Sequence, residues 1–495
     1  MLGGLSLKKR IKIISYILLT VLICTAGVPA EYSSAAGVKL KDKFNYGQDG
    51  KSEYFSYLKY PYYSTLLEEY EEKGYKTGRD SIVILPDEIN TDQTIQNNLK
   101  NNIGNKPDKV FVWDEDTESI EFEFDIDSEG LYEVEIEYYM MPGSTNSAVR
   151  SLKTDGEVPF LEAGNLEFPR MWKDEGDPIV NSLGDEVRPK QVEVPAWRTR
   201  KFYDGSGLYP EALKLYYSKG SHVIELEYIS DPMAISKITI LPAEEIPTYE
   251  QVKNSYISKG YSEASKTIEF QAETNAVEKS DPTVRRESNG NPTVSPVSLK
   301  YRKLNAIGGY RWRNGGQSVT WEFSVPEDGL YKIGIRSLQI WNDGLPSYRK
   351  IAIDGKVPFD ELYKYPFQYT STSKWKTEVL KGDDEEPYLF YLESGKHTIT
   401  MTVTMGNLTP VIHSMNNDTL LLSNMIREII KITGSNPDPN YDYEFFEVMP
   451  DLKDDMEKLM ESLQEKYDML DELPGKLPAM ANNFLSIKSQ VEKMV

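Results

Sequence analysis

Asp155-Gly156-Glu157-Val158-Pro159-Phe160 and Asp354-Gly355-Lys356-Val357-Pro358-Phe359 are the two stretches that decide how this chain folds. Each opens with Asp-Gly, a dipeptide that closes tight hairpin turns because glycine accepts a positive φ. The two lie 199 residues apart, and the same separation relates Glu129-Gly130-Leu131-Tyr132 to Asp328-Gly329-Leu330-Tyr331. Lys73-Gly74-Tyr75 recurs as Lys259-Gly260-Tyr261 after 186 residues, and Gly220-Ser221-His222 as Gly395-Lys396-His397 after 175. Matches that keep their order while their spacing drifts describe one unit occurring twice, with loops of unequal length between the same strands.

Around these anchors the apolar residues alternate. Ser119 to Ile126 reads apolar, polar, apolar, as do Tyr132, Val134, Ile136 and Tyr138. In the second unit Val319, Trp321, Phe323 and Val325 alternate, followed by Tyr331, Ile333 and Ile335. A period of two is a half-buried strand with its apolar face inward. Val223–Tyr228 and Thr398–Val403 are the matching late strands. Many short strands with regular turns predict two β-sandwiches rather than a parallel α/β sheet.

The flanks differ. Lys8, Lys9, Arg10 and Lys12 precede an uncharged apolar run from Ile13 to Ala30, and small residues follow it, which is the pattern of an export signal over 1–36. An uncleaved anchor and a lipidated Cys24 are the alternatives. Short helices are expected at Tyr63–Lys73 and Tyr249–Lys259. After the second sandwich, Leu422–Ile432 has helical spacing, and Leu452, Met456, Leu459, Leu463, Tyr467 and Leu470 form one helix face. Another helix starts near Phe484. The expected organisation is a leader over 1–36, a linker with a short helix over 37–78, and a first sandwich over 79–246. A linker helix over 247–264, a second sandwich over 265–415 and a helical tail over 416–495 complete it. The tail's apolar stripe calls for a partner: the rest of a longer protein, another protein chain, or the sandwiches.

Composition narrows the function. Of 495 residues, 78 are Asp or Glu against 56 Lys or Arg, a formal net charge of −22. That surplus argues against nucleic acid and against polybasic attachment to lipid. One Cys and 3 His exclude Cys/His zinc modules and disulfide scaffolds. Signal cleavage removes that Cys and four cations, taking the charge to −26. No nucleophile elbow, P-loop, zincin or dinucleotide motif is present. His222 and His397 sit at a turn into a strand, a structural position. The acidic runs Asp383–Glu386 and Glu69–Glu72 read as solvated. The chain is therefore expected to be non-catalytic.

Several stretches resemble a known group. Ile268-Glu269-Phe270-Gln271-Ala272-Glu273 looks like the opening strand of carbohydrate-binding modules of families 6 and 35. Gly308-Gly309-Tyr310, Gly316 to Phe323 and Val325 to Tyr331 resemble the middle strands, and Arg349 to Gly355 and Gly395 to Ile399 continue the likeness. It covers about 150 residues of the second unit and, more weakly, the first. The resemblance implies galactose-binding-like jelly rolls. The layout is also similar to exported Gram-positive proteins in which two such modules and a helical segment precede a family 1 extracellular solute-binding domain of a sugar ABC transporter. In the modules early carboxylates hold a structural calcium, which would fall to Gln271 and Glu273 here. An Asp frequent near the module end is replaced by Ser236.

A sugar presents apolar C–H faces, on which aromatics stack, and hydroxyls, which Asn, Asp and Arg bond. Trp341-Asn342-Asp343 lies in a polar, glycine-bearing loop and is the first candidate site. Tyr310-Arg311-Trp312-Arg313 is the second, read alternatively as a strand with Trp312 buried. Trp197 and Trp375 take matching places and read as structural, and Trp172 is a weaker loop candidate. The expected fold is mainly β, two tandem jelly rolls with short leading helices and a C-terminal helical tail. The expected function is carbohydrate recognition at the cell surface or in secretion, linked to sugar uptake, with neutral glycans favoured. A cell-envelope interaction protein and an accessory part of a polysaccharide-degrading enzyme are the alternatives.

Overall fold

The computed structural model describes residues 59–91, 97–341, 344–370, 374–473 and 476–495. The expected leader lies outside them. Among the described residues no helix is long and apolar enough to cross a membrane. The chain divides into two units, one containing both sandwiches (60–340 and 347–406) and one containing the helices with the loop 341–346.

The first sandwich begins with helix α1 (Tyr63–Glu72) and strands β1 (Ile82–Ile84), β2 (Asn90–Thr91), β3 (Leu99–Lys100) and β4 (Val110–Trp113). The long strands β5 (Ser119–Ile126), β6 (Gly130–Met140) and β7 (Ala148–Thr154) follow, then β8 (Leu166–Phe168), β9 (Trp172–Asp174), β10 (Ile179–Val180), β11 (Glu186–Val187) and β12 (Gln191–Glu193). Strands β13 (Arg198–Lys201), β14 (Lys214–Tyr217), β15 (Gly220–Ser230) and β16 (Met233–Pro242) close it. One sheet runs β2-β5-β15-β7-β8. The facing sheet runs β13-β6-β16-β4-β3, with β14 also on β6 and β1 on β16. The alternation decides the core: Ile120, Phe122, Val134, Ile136, Leu152, Ile224 and Leu226 are fully buried between the sheets, while charged neighbours such as Glu121, Glu123 and Asp125 face out.

The second sandwich follows helices α2 (Tyr249–Lys259) and α3 (Ala272–Asn275), with strands β17 (Ala276–Lys279), β18 (Arg286–Glu287), β19 (Ala306–Ile307), β20 (Ser318–Val325), β21 (Gly329–Tyr331), β22 (Gly334–Ser337), β23 (Ser347–Ile353), β24 (Tyr365–Phe367), β25 (Lys376–Val379), β26 (Phe390–Leu392) and β27 (Gly395–Thr404). Its first sheet runs β17-β20-β27-β23-β24, and β9 of the first sandwich pairs with β17 to extend it. Two differences from the sequence expectation appear. Residues 266–271 form no strand, and Tyr331 to Ile335 is broken into β21 and β22. Residues 266–271 have no strand beside them, and β21 and β22 are paired along one edge, by β26 and β25.

The recurrent motifs have matching structural roles. Gly74 and Gly260 end α1 and α2 in the left-handed region, at φ 65° and 69°, where a Cβ is disfavoured. Tyr75 and Tyr261 then stack on Tyr216 and Tyr391, at 3.8 and 3.7 Å between ring centroids. The hydroxyls of Tyr132 and Tyr331 donate back to the carbonyls of Ser128 and Glu327, at 2.5 and 2.7 Å. The first amide of each leading helix donates to a carboxylate: Tyr63 N to Glu162 Oε2 at 2.9 Å, and Tyr249 N to Glu361 Oε2 at 3.0 Å. Negative charge at a helix N-terminus complements the unpaired amides there.

The helical unit contains α4 (Thr409–Thr433), α5 (Phe445–Val448), α6 (Leu452–Asp471) and α7 (Ala481–Glu492). Helix α4 starts at Thr409, ahead of the expected 415/416 boundary, with Pro410 in its first turn, where a missing N–H is harmless. The a/d-like face of α6, Met456, Leu459, Leu463 and Leu470, packs with Val411, Leu421, Phe484 and Ile487 in one apolar cluster. Inside it Lys466 is fully buried and donates to Asp418 Oδ2 at 2.6 Å and Ser462 Oγ at 2.6 Å. The acidic partner compensates a charge that burial would otherwise drive toward neutrality.

Candidate functional site

Tyr310 and Arg311 lie on a single 3₁₀ turn, Gly309–Arg311, not on a strand. Gly308 (φ 94°) precedes it, and a Cβ there would approach the Trp312 ring to 2.9 Å. Glycine is therefore required for the loop to fold over Trp312. Gln317 holds the far side of the loop: its Oε1 accepts from the amides of Arg313 and Asn314 at 2.8 and 2.9 Å, and its Nε2 donates to Asp281 at 2.5 Å. The loop presents Tyr310, 53% exposed, with Arg311 and Arg313 also exposed. The Arg313 guanidinium lies 4.1 Å from the Tyr310 ring centroid and also bonds its hydroxyl. One face of the ring is thus covered by a cation. Chemically, this is an aromatic surface beside two multi-donor guanidinium groups, suited to hydroxyl or anionic oxygen acceptors.

Trp312 belongs to the scaffold. It is half-buried, packs edge-on to Trp321 at 6.0 Å and donates Nε1 to the Gln317 carbonyl at 3.2 Å. The Arg349 guanidinium sits 4.6 Å from its ring. The first sandwich has the same arrangement at positions 199 residues earlier: Arg150 lies 4.2 Å from Trp113, whose Nε1 donates to Thr117 O at 2.9 Å. Burial lowers the Arg150 and Arg349 pKa values, to about 9 and about 10.

Trp341 is 51% exposed, at a bend. Asn342 and Asp343 lie outside the described residues. Residues 341–346 group with the helices. Leu345, 6% exposed, packs in the helical cluster, and Gly344 (φ 90°) is so near Pro478 that a Cβ would approach its Cα to 2.9 Å. Gly344 and Leu345 thus belong with the helices.

The calcium expectation does not fit the residues present. Gln271 is exposed, whereas Glu273 is 4% exposed, and burial raises its pKa. Among the described residues no group of three or more His, Cys, Asp or Glu side chains converges as a metal site. Calcium takes six to eight oxygens.

The other candidates have structural partners. Trp172 is 8% exposed within β9 rather than in a loop. Trp197 is half-buried, donates Nε1 to Ile103 O at 3.1 Å and stands 4.9 Å from Lys106 Nζ. Trp375 is half-buried, and among the described residues its Nε1 has no hydrogen-bond partner. His222 and His397 each contact an Asp-Gly turn: Nδ1 meets Asp155 at 2.8 Å and Asp354 at 2.7 Å. Sequence reasoning missed a cleft of about 230 Å³ lined by Tyr256, Asp354, Lys356, Phe390 and Tyr391. The repeated Lys-Gly-Tyr was its signal, because Tyr261 is what positions Tyr391. Its acid and its aromatic are already engaged, with His397 and Tyr261.

Residues 410–495 match a family described as the bacterial solute-binding protein, 4-helix bundle domain. No curated protein matches the chain. Among solved structures, the chain is similar to the GH26-CBM35 β-(1,4)-mannanase of Podospora anserina, at 13% identity over 37% of this chain and 35% of that one, with a TM-score of 0.19. It is similar to a family 35 carbohydrate-binding module from an environmental isolate, at 16% identity over 19% and 58%, TM-score 0.15. It is also similar to CBM35 from Paenibacillus barcinonensis, at 17% identity over 28% and 87%, TM-score 0.18. The chain thus spans about a third of the mannanase and under two thirds of the environmental module.

Proposed function

We propose that this chain is a non-catalytic carbohydrate-recognition protein, exported and linked to sugar capture by an ABC-type uptake system. The observation that carries the reading is the match of residues 410–495 to the helical domain of bacterial solute-binding proteins. The N-terminal charge and apolar pattern, and the resemblance of the sandwich sequences to carbohydrate-binding modules, support it from the same direction. The two sandwiches are read as one duplicated module. Its recognition groups are Tyr310, Arg311 and Arg313, Trp341 is a separate candidate, and the ligand is a neutral oligo- or polysaccharide.

The test is a glycan array followed by calorimetry on the whole protein. Loss of one stacking aromatic, in Tyr310→Ala or Trp341→Ala, is expected to weaken binding about tenfold, since such contacts contribute about 0.5–1.5 kcal/mol. A protein that binds no neutral glycan refutes recognition. Release of reducing ends from a polysaccharide by the purified protein refutes the non-catalytic assignment.

A further inference from the structure

The two sandwiches differ by one strand. In the first, β6 is paired on both sides. Strands β13 and β14 lie along one edge, and β16 runs antiparallel along the other, with Ile238 opposite Ile136 and Ile240 opposite Val134. On its far side β16 pairs with β4 (Ile235 opposite Phe111) and β1 (Ile84 opposite Ile238). It is thus an interior strand of its sheet.

In the second sandwich β22 and β21 pair with β25 and β26 on the corresponding first side. Among the described residues their other edge carries a single bridge, Leu330 to Glu263, and no strand runs along β22 there. The chain explains why. Only Asp231 and Pro232 separate β15 from β16, whereas β27 is followed by Met405 to Leu408 and then by α4. In chain order the helical segment follows β27 where a strand follows β15.

The side chains that β16 covers in the first sandwich have exposed counterparts in the second. Ile84 is 3% exposed, and Phe270, at the matching distance from the Lys-Gly-Tyr motif, is 37% exposed. Val134 and Ile136 are fully buried, while Ile333 and Ile335 are only half-buried. Two separate segments therefore lose cover at the positions one strand would occupy. The open edge also presents unpaired backbone. Leu380 N donates to Ile333 O, so alternation along an antiparallel strand directs the amides of Gly334 and Arg336 to the opposite side. An interior edge with apolar flanks is a template for strand addition.

We infer that the second sandwich is completed by an added antiparallel strand between β21–β22 and the segment at 268–270. The helical segment is an insertion between β27 and this strand. The donor is carried by the same polypeptide on the far side of the helices. Its chemistry is that of β16, about ten extended residues with apolar side chains at alternate positions and no proline in the middle.

Amide hydrogen exchange on the 495-residue chain tests this. The amides of Gly334 and Arg336 are expected to exchange quickly in that chain. A synthetic peptide of the β16 sequence, Met233–Pro242, is expected to slow them at least tenfold, and the same peptide carrying Ile238→Pro and Ile240→Pro is not. In the polypeptide isolated from its native source both amides are expected to be slow at every protein concentration. Slow exchange in the 495-residue chain alone overturns the inference, as does equal protection by the proline-bearing peptide. Protection that grows with protein concentration overturns the assignment of the donor to the same polypeptide.

Discussion

His397 shows how a single repeated residue can be assigned a role. Its Nδ1 meets Asp354 Oδ2 at 2.7 Å and its Nε2 meets the Glu393 carbonyl at 2.6 Å, while the other oxygen of Asp354 accepts the Thr398 amide at 2.7 Å. Asp354 itself sits at φ 49°, so one residue closes the hairpin and clamps the next strand. Both ring nitrogens face acceptors, an arrangement that favours the imidazolium. Partial burial opposes the charge, but the hydrogen bonds to Glu393 and Asp354 outweigh it and hold the His397 pKa above its ordinary value. A folded pKa above the unfolded one, about 6.5, stabilises the protonated form. That contribution is complete below about pH 6.5 and is lost as pH rises through the folded pKa. An NMR titration is expected to place the His397 midpoint above 6.5 in the native protein and lower in Asp354→Asn, which keeps the turn but loses the charge. A midpoint unmoved by that substitution would show that Asp354 does not act on the ring.

At the scale of elements, the junction of the two sandwiches is a buried polar cluster rather than an apolar seam. Asp174 of β9 accepts from Lys279 Nζ of β17 at 2.6 Å, from Arg286 Nε of β18 at 2.8 Å and from Gln191 Nε2 of β12 at 2.7 Å. Lys279 is 1% exposed and also donates to Gln191 Oε1 at 2.6 Å. Burial works against the carboxylate, but the bonds from Lys279 and Gln191 and the two cations lower the Asp174 pKa. Asp174→Ala leaves the buried ammonium without its acid, a change that typically costs about 3–5 kcal/mol. Thermal unfolding of the variant is expected to show a lower midpoint for the sandwich unit, and Lys279→Met in the same chain is expected to recover part of the loss. The pH dependence has the opposite sign to that of His397. Stability from Asp174 is present above its unfolded pKa of about 3.9 and is lost as pH falls through the lower folded value. A variant as stable as the parent at pH 7 would mean that the junction does not depend on the cluster.

For the whole molecule, what the sequence disclosed depended on whether the determinant was local. The alternation of β5 and β20, the Asp-Gly turns and the helix face of α6 are properties of short stretches, and each element forms where its pattern lies. The Ile268–Phe270 stretch has the same alternation as a strand, but pairing is non-local, and a strand without a neighbour does not form. The net charge of −22 is also legible from composition, and it bears on ligand choice because it acts on the molecule as a whole. A surface of that sign repels polyanions over roughly 8–10 Å at physiological salt, and Arg311 and Arg313 offset it only locally. If the chain recognises neutral glycans, affinity is expected to change little between low and high ionic strength, because stacking and hydroxyl hydrogen bonds carry no net charge. Acidic glycans are expected to be rejected at low salt and to gain only as screening increases. Binding isotherms for a neutral and a uronate-bearing oligosaccharide of equal length, measured across salt, decide the matter. Tight uronate binding at low salt, abolished in Arg311→Ala/Arg313→Ala, would show that the two guanidinium groups outweigh the acidic surface and that the ligand class is acidic.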